Sequence, residues 1–205
     1  MNPQTGDRVV VFDLDGTLFS SEAILGDAYR EAVATTSARW GVPLKTPTLA
    51  EILTLVGRPV REIFLALYPA LSAAQREELA GEVLVILDRK IRAGEGRLYD
   101  GVPAMLAALR DAGCRITLVS NCRRAYLEAI FDTYELWPYF SSARCNEDAP
   151  ELGKTGLVAE AVAGARGIMV GDRASDGEAA HAAGIPWIGC DYGHADDGSG
   201  QNELS

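Results

Sequence analysis

The chain has 205 residues, a length that fits one domain or one domain carrying a large insertion. Apolar residues make up 48% and charged residues 23% of the sequence, which excludes a collagen, a disordered chain or a coiled coil as the whole protein. The formal net charge of −10 repels phosphate backbones and anionic lipid, so we expect no nucleic acid and no membrane among the partners.

The N-terminus and the cysteines indicate where the protein works. Met1 to Arg8 is polar and Asp13 interrupts the apolar run that follows, so we expect no signal peptide in this segment. No stretch approaches the roughly 20 apolar residues that span a bilayer. The cysteines form no C-x-x-C pair and have no histidine at metal-ligand spacing, so we expect free thiols and a cytoplasmic protein.

Three apolar runs, rich in β-branched residues, predict buried strands that each end in polar residues. They are Val9 to Phe12 before Asp13, Arg115 to Val119 before Ser120, and Gly167 to Val170 before Gly171. Two weaker runs, Phe140 to Cys145 and Pro186 to Gly189, predict further strands.

Helical periods separate these runs. The first begins at Val102, with Pro103 in its first turn and Gly113 as its stop. Others cover Leu157 to Val162 and Ser175 to Ala183, the latter closed by Gly184. Strands alternating with helices predict an α/β fold, a doubly wound, Rossmann-like parallel sheet covered on both faces.

Ser20 to Arg97 has helical periods throughout, and it contains ten basic and ten acidic residues, so the net negative charge lies elsewhere. It is far longer than the roughly 2 to 6 residues of an ordinary strand-to-helix connection. We therefore predict an all-helical domain over residues 20–97, inserted into a core formed by residues 1–19 and 98–205. Asp191 to Ser205 is predicted to be a loop and tail. His181 and His194 are expected to be solvated, and neither is given a role.

Ligands of an open parallel sheet bind beyond the carboxyl ends of its strands, and the predicted fold gathers polar side chains there. These side chains are Asp13, Asp15, Ser120, Asn121, Lys154, Asp172 and Asp176. Clustered carboxylates repel one another unless a cation lies among them, and Mg²⁺ suits a site of a few carboxylates, waters and a substrate phosphate. A lysine and a serine can bind a phosphoryl group that an aspartate attacks, so the set indicates phosphoryl transfer.

Four segments resemble the signatures of the haloacid dehalogenase superfamily, in that family's order. They are Val-Phe-Asp-Leu-Asp-Gly-Thr-Leu at 11–18, Val-Ser-Asn at 119–121, Lys154, and Val-Gly-Asp-Arg-Ala-Ser-Asp at 170–176. The helical insertion resembles the cap domain of the subfamily that contains phosphoglycolate phosphatases and β-phosphoglucomutases. The resemblance covers essentially the whole chain.

The resemblance implies roles for the matched residues. Asp13 would be the nucleophile that forms an aspartyl-phosphate, and Asp15 the general acid and base. Asp13, the backbone carbonyl of Asp15, and Asp172 would hold Mg²⁺, with Asp176 as a further or indirect ligand. Ser120, Asn121 and Lys154 would bind the phosphoryl group.

The resemblance also implies a reaction class, a Mg²⁺-dependent phosphatase of a small phosphate monoester such as a phosphoglycolate-like compound, a sugar phosphate or a nucleoside monophosphate. Asp15 argues against dehalogenases and phosphonatases, which lack an acid there. The cap histidine that β-phosphoglucomutases share is absent from Gly16 to Asp27, which favours a hydrolase over a mutase. A phosphomutase and a non-catalytic binding protein remain alternatives. We expect the protein to be a monomer or a homodimer.

Within the insertion, residues 55–63 resemble the substrate-facing cap loop, so Arg58 or Arg61 is a candidate for contact with an anionic substrate. The alternative is a helix stop and start with solvated arginines. Asp176, Ser120 and Asn121 likewise have a simpler interpretation as residues of helix first turns. Where many relatives have Asp, a basic residue and Pro-x-Pro, this chain has Ser20, Cys122 and a Thr-Gly pair after Lys154.

Overall fold

A computed structural model describes residues 8–194 of the chain. The strands are β1 Arg8–Phe12, β2 Phe19–Ser20, β3 Arg97–Leu98, β4 Arg115–Ser120, β5 Ser142–Cys145, β6 Arg166–Gly171 and β7 Trp187–Gly189. The α-helices are α1 Glu22–Trp40, α2 Leu49–Leu53, α3 Val60–Leu67, α4 Ala73–Arg92, α5 Val102–Asp111, α6 Arg124–Thr133, α7 Gly153–Val162 and α8 Ala174–Ala182. A 3₁₀ turn at Trp137–Tyr139 precedes β5.

The central sheet has five parallel strands in the order β5-β4-β1-β6-β7. The first strand lies in the middle, with Val10 opposite Ile116 on β4 and opposite Ile168 on β6. Successive strands lie on either side of β1, which is the doubly wound order predicted from the sequence. Each of the five predicted strands is present.

The two faces of the sheet are covered by different helices because side chains alternate along each strand. Val10 and Phe12 belong to the core cluster that includes α5, α6 and the helices of the insertion. Val9 and Val11 belong to the cluster formed with α7 and α8. Burial on both faces explains why β1 reads as a continuous apolar run rather than as an alternating one.

The insertion after β1 contains α1 to α4, which confirms a helical cap. Its two ends differ from the expectation of an all-helical segment, because β2 and β3 pair antiparallel with Phe19 opposite Leu98 and Ser20 opposite Arg97. The sequence does not predict these strands because two residues are too few to show a period, and because the paired positions lie almost eighty residues apart. The domain limits at residues 20 and 97, which fall within this ribbon, remain a proposal.

Local sequence signals explain the cap helices. Two of them begin with capping boxes, Thr48 with Glu51 for α2 and Ser72 with Gln75 for α4, in which side chains and backbone N–H groups bond reciprocally. Every apolar position of the predicted periods is buried. These positions are Leu25, Ala28, Tyr29, Ala32 and Val33 on α1, and Leu79, Val83, Leu87 and Ile91 on α4.

Among residues 8–194, none of the helices combines the length and the apolar character that a bilayer span requires. The four cysteines, Cys114, Cys122, Cys145 and Cys190, are free thiols, as expected. The predicted tail lies outside the described residues from position 195 onward, and so do residues 1–7.

Candidate active site

The predicted polar residues meet at the carboxyl edge of the sheet. Asp13 follows β1, and its backbone N–H continues the ladder by donating to the carbonyl of Val170 at 2.9 Å. Ser120 is the last residue of β4, and Asp172 follows β6. Because these strands are parallel neighbours, their ends bring the side chains into one crevice, as the sequence predicts.

Lys154 lies at the centre of a buried charge cluster. Its Nζ is 2.7 Å from Asp13 Oδ1 and 2.5 Å from Asp176 Oδ1. Carboxylate oxygens of Asp13, Asp172 and Asp176 all lie within 4.8 Å of one another. One ammonium among three buried carboxylates leaves an excess of negative charge, which is the electrostatic situation that attracts a divalent cation.

Burial of this cluster changes its proton affinities. Asp13 is 1% exposed, and desolvation raises its pKa to about 7 despite the neighbouring ammonium of Lys154. Burial also raises the pKa of Asp172. For Lys154, burial alone would lower the pKa, but the carboxylates of Asp13 and Asp176 outweigh it and hold the pKa above its usual value. Additional positive charge is therefore needed to ionise Asp13 fully.

Asp15 occupies a different environment from Asp13 although only one residue separates them. Its Oδ1 accepts hydrogen bonds from the Tyr126 hydroxyl at 2.6 Å and the Ser21 hydroxyl at 3.1 Å. Burial raises the pKa of Asp15, and these two hydrogen bonds offset part of that rise. Both carboxyls have raised pKa values, so their partners distinguish them: Asp15 contacts two hydroxyls and can carry and release a proton, whereas Asp13 faces the ammonium of Lys154.

A tight turn makes room for Asp172. Gly16 has a φ of +78°, and a Cβ built on it would lie 2.1 Å from Asp172 Oδ2. The Thr17 hydroxyl donates to Asp172 Oδ1 at 3.3 Å. In the Gly-Thr pair of the first motif, Gly16 therefore leaves space for the carboxylate of Asp172, and Thr17 orients it.

The two residues at the end of β4 face different partners. Ser120 is buried, lines the cap pocket described below, and its hydroxyl accepts a long hydrogen bond of 3.4 Å from the backbone of Cys122. Asn121, predicted to bind phosphate, donates from Nδ2 to the carbonyl of Gly57 at 2.9 Å. Arg173 similarly donates to the carbonyl of Leu53 at 2.6 Å. Asn121 thus connects the end of β4 to the cap loop, and its contact with a phosphoryl group stays a prediction.

A pocket of about 100 Å³ opens beside Asp15 and Ser120, between the core and helices α1 to α4. Arg58 lines this pocket, is exposed, and makes no ion pair with any residue of 8–194. Arg61, the alternative from the sequence, is exposed and lies outside the lining. Burial raises the pKa of Cys122, which also lines the pocket, well above its usual value, so its thiol stays protonated.

Several neighbours of the site were not predicted. Tyr126 lies on α6 and belongs to none of the motifs identified in the sequence. His194, predicted to be solvated, has a side chain 5% exposed, and its backbone N–H donates to Asp172 Oδ2 at 2.7 Å. Tyr192 donates from its hydroxyl to the carbonyl of Thr17 at 2.9 Å. Asp191 to His194 therefore packs on the site, and a Gly-Asp-rich segment gives no sequence signal for such packing.

The donor set fits a hard cation. Asp13, Asp172 and Asp176 offer oxygens only and lie at the spacing that a shared ion would bridge, so the residues present can hold Mg²⁺. The Asp15 carboxylate is directed to Tyr126 and Ser21, so the carboxylate does not belong to this group. Asp176 also accepts from the backbone N–H of Arg173 at 2.9 Å, which means that it caps α8 as well as contacting Lys154.

Comparison with known proteins agrees with this arrangement. The sequence matches the family model of haloacid dehalogenase-like hydrolases over residues 8–184. The chain belongs to the haloacid dehalogenase-like hydrolase family. A haloacid dehalogenase-like family protein from Streptococcus pneumoniae shares the fold with a TM-score of 0.71 at 21% identity, covering 94% of this chain and 89% of that chain.

Two curated relatives of this hydrolase carry different names. A phosphoglycolate phosphatase from Xanthomonas campestris pv. campestris is 32% identical over 194 residues, covering 91% of this chain and 84% of that protein. The tyrosine-protein kinase PtkA of Mycobacterium tuberculosis is 30% identical over 206 residues, covering 95% of this chain. The present chain spans 66% of the length of PtkA. The predicted resemblance to phosphoglycolate-phosphatase-like proteins is thereby confirmed.

Proposed function

We propose that this hydrolase is a Mg²⁺-dependent phosphatase that cleaves a small phosphate monoester through an aspartyl-phosphate on Asp13. The observation that carries the proposal is the division of labour between two carboxyls one residue apart. Asp13 lies 2.7 Å from the Lys154 ammonium in the charge cluster, whereas Asp15 is held by Tyr126 and lines the pocket. On the ground of these different environments we assign Asp13 the role of nucleophile and Asp15 that of proton donor.

In the first step, an Asp13 carboxylate oxygen attacks phosphorus and the bond to the leaving alcohol breaks. Asp15 gives its proton to the departing oxygen, so the alcohol leaves neutral. Lys154 and the Ser120 hydroxyl neutralise and orient the phosphoryl oxygens, which is how a fixed donor stabilises charge that develops in the transition state. The products of this step are the free alcohol and phosphorylated Asp13.

In the second step, the Asp15 carboxylate removes a proton from a water molecule that attacks the phosphorus of the aspartyl-phosphate. Inorganic phosphate leaves and Asp13 is restored as a carboxylate, while Asp15 regains the proton it gave away. Two moderate barriers replace one very high barrier. Asp15 suits both directions of proton transfer because its raised pKa lies nearer to neutral pH.

Mg²⁺ bound by Asp13, the Asp15 carbonyl and Asp172, with help from Asp176, would neutralise phosphate charge and lower the pKa of Asp13. The raised pKa of Asp13 supports this requirement, since the buried site alone disfavours the ionised nucleophile. We propose in addition that the protein is cytoplasmic and acts as a monomer or homodimer on a soluble ester.

Release of inorganic phosphate from a panel of monoesters tests the proposal, with Mg²⁺, with EDTA, and with Asp13→Asn. We expect metal-dependent release that the variant loses. Isomerised product without net phosphate release would indicate a phosphomutase instead. Metal binding without turnover of any ester would indicate a binding protein that retains the fold, since fold alone does not guarantee activity.

A further inference from the structure

The cap pocket has walls of apolar side chains. Leu25 and Tyr29 from α1, Ile63 and Phe64 from α3, and Leu87 from α4 line it, while Asp15 and Ser120 lie on its core side. Tyr29 and Phe64 are stacked with ring centroids 5.7 Å apart and an interplanar angle of 15°. Burial raises the pKa of Tyr29, which is consistent with a poorly hydrated wall. Because the proton donor opens into this space, the group that occupies it is the substrate's leaving group.

Few charged side chains line the pocket, and one of its two arginines already forms ion pairs. Arg123 is 17% exposed, and its guanidinium is 2.6 Å from Glu77 and 4.0 Å from Glu147. That leaves Arg58, which is exposed to solvent, as the cation of the lining without an ionic partner among the described residues. A carboxylate placed against the apolar walls would lose its hydration without gaining a buried counter-charge.

We infer that the substrate of this site is a phosphate monoester whose leaving group is compact, uncharged and apolar, of about the size of an aromatic ring. The inference rests on the proposed phosphatase function and specifies its substrate class. A space of about 100 Å³ suits a compact group, and an engineered apolar cavity of roughly 150 Å³ binds benzene. Tyr29 and Phe64, which both line the pocket, provide aromatic surface for contact with such a group.

Three esters of primary alcohols test this substrate class: benzyl phosphate, isobutyl phosphate and phosphoglycolate. Isobutyl phosphate has the same number of non-hydrogen atoms as phosphoglycolate, with an isopropyl group in place of the planar carboxylate. We expect kcat/KM for benzyl and isobutyl phosphate to exceed that for phosphoglycolate by at least about 10-fold, since an apolar pocket discriminates about 10- to 200-fold per apolar carbon. p-Nitrophenyl phosphate, whose leaving group needs little protonation, measures the basal reaction.

Ile63 provides the variant and Leu65 its matched control. Both lie on α3, but Ile63 lines the pocket whereas Leu65 is 51% exposed and lies outside the lining. Ile63→Lys should lower kcat/KM for benzyl phosphate by at least about 10-fold and reduce or reverse the preference over phosphoglycolate. Leu65→Lys should change neither. Ile63→Ala adds no charge and should lower the turnover of benzyl phosphate but not that of phosphoglycolate. This variant replaces Ile63→Lys in the test if the lysine variant does not fold.

Preference of the wild-type protein for phosphoglycolate, lost in Arg58→Met, would overturn the inference and assign the pocket to an anionic leaving group. Equal losses in Ile63→Lys and Leu65→Lys would also overturn it, because the effect would then not come from the pocket. Absence of phosphate release from all four esters would overturn the proposed function, and the inference with it. Release with a reversed preference overturns the inference alone.

Discussion

Removal of the nucleophile's charge is expected to stabilise the metal-free protein. The pKa of Asp13 rises from its ordinary 3.8 to about 7 in the folded state, mainly because the carboxyl is buried. One pKa unit corresponds to about 1.36 kcal/mol, so ionising Asp13 is less favourable in the folded than in the unfolded chain by up to about 4 kcal/mol. Asn retains the shape without the charge, and Asp13→Asn should therefore raise stability while abolishing turnover.

The pH dependence follows from the direction of the shift. A folded state with the higher carboxyl pKa binds its proton more tightly than the unfolded state, so the associated stability is complete below pH 3.8 and is gone above about pH 7. The gap between Asp13→Asn and wild type should thus widen by about 2 to 3 kcal/mol from pH 5 to pH 8. The attraction of Lys154 is already included in this difference, because it lowers the pKa of Asp13 to the value of about 7.

Thermal unfolding in EDTA at pH 5, 6, 7 and 8 measures this gap, since about 1 kcal/mol shifts Tm by roughly 2–4 °C for a chain of this size. Asp111→Asn is the control, because the side chain of Asp111 is 71% exposed and its removal should change stability by less than about 0.5 kcal/mol at every pH. Mg²⁺ should stabilise wild type and narrow the gap. A variant less stable than wild type throughout, with a gap independent of pH, would refute the reasoning and show that the pair with Lys154 dominates.

Three further variants probe the site by steady-state kinetics. Tyr126→Phe removes the 2.6 Å hydrogen bond to Asp15 and should lower kcat for alkyl phosphates by about 10-fold. It should lower kcat for p-nitrophenyl phosphate much less, because that leaving group needs little protonation. Equal losses for both substrates would indicate a merely structural role of Tyr126. Lys154→Met should lower kcat by about 10²- to 10³-fold, as loss of one fixed charge donor does elsewhere, and wild-type turnover would remove Lys154 from the phosphoryl site. Gly16→Ala should abolish both turnover and stabilisation by Mg²⁺. Gly94→Ala is the control, because Gly94 has a φ of +74° and nothing lies within 4 Å of its Cβ, and this variant should keep both properties. If both variants lose them, backbone strain alone is responsible.

Much of the site was predictable because it follows from topology. Parallel strands must end at one edge, so the polar residues that follow β1, β4 and β6 had to meet once the apolar runs were identified as strands. Helices α1 and α4 of the cap were predictable because their buried positions repeat with a helical period. Lys154 was placed by the resemblance, and the structure puts it against Asp13 and Asp176.

The remaining features depend on contacts that no local pattern encodes. Tyr126 reaches Asp15 across 111 positions of sequence, and its spacing on α6 is that of any core residue. The β2–β3 ribbon consists of two residues per strand. The side chain of His194 is buried because the loop after β7 folds back over Asp172. Composition alone assigns this loop to a solvated tail. Asn121 donates to the carbonyl of Gly57 in the cap loop, a tertiary contact that its motif does not indicate.

A covalent phosphoryl group on Asp13 is the central claim, and acid-quenched mass spectrometry of Asp15→Asn tests it most directly. p-Nitrophenyl phosphate can phosphorylate this variant without a proton donor, whereas the missing base slows hydrolysis of the aspartyl-phosphate. The account predicts that intact protein gains the mass of one phosphoryl group, that the peptide carrying Asp13 contains it, and that the Asp13→Asn, Asp15→Asn double variant gains none. Steady turnover in Asp13→Asn, or a phosphoryl group on any other residue, would contradict it.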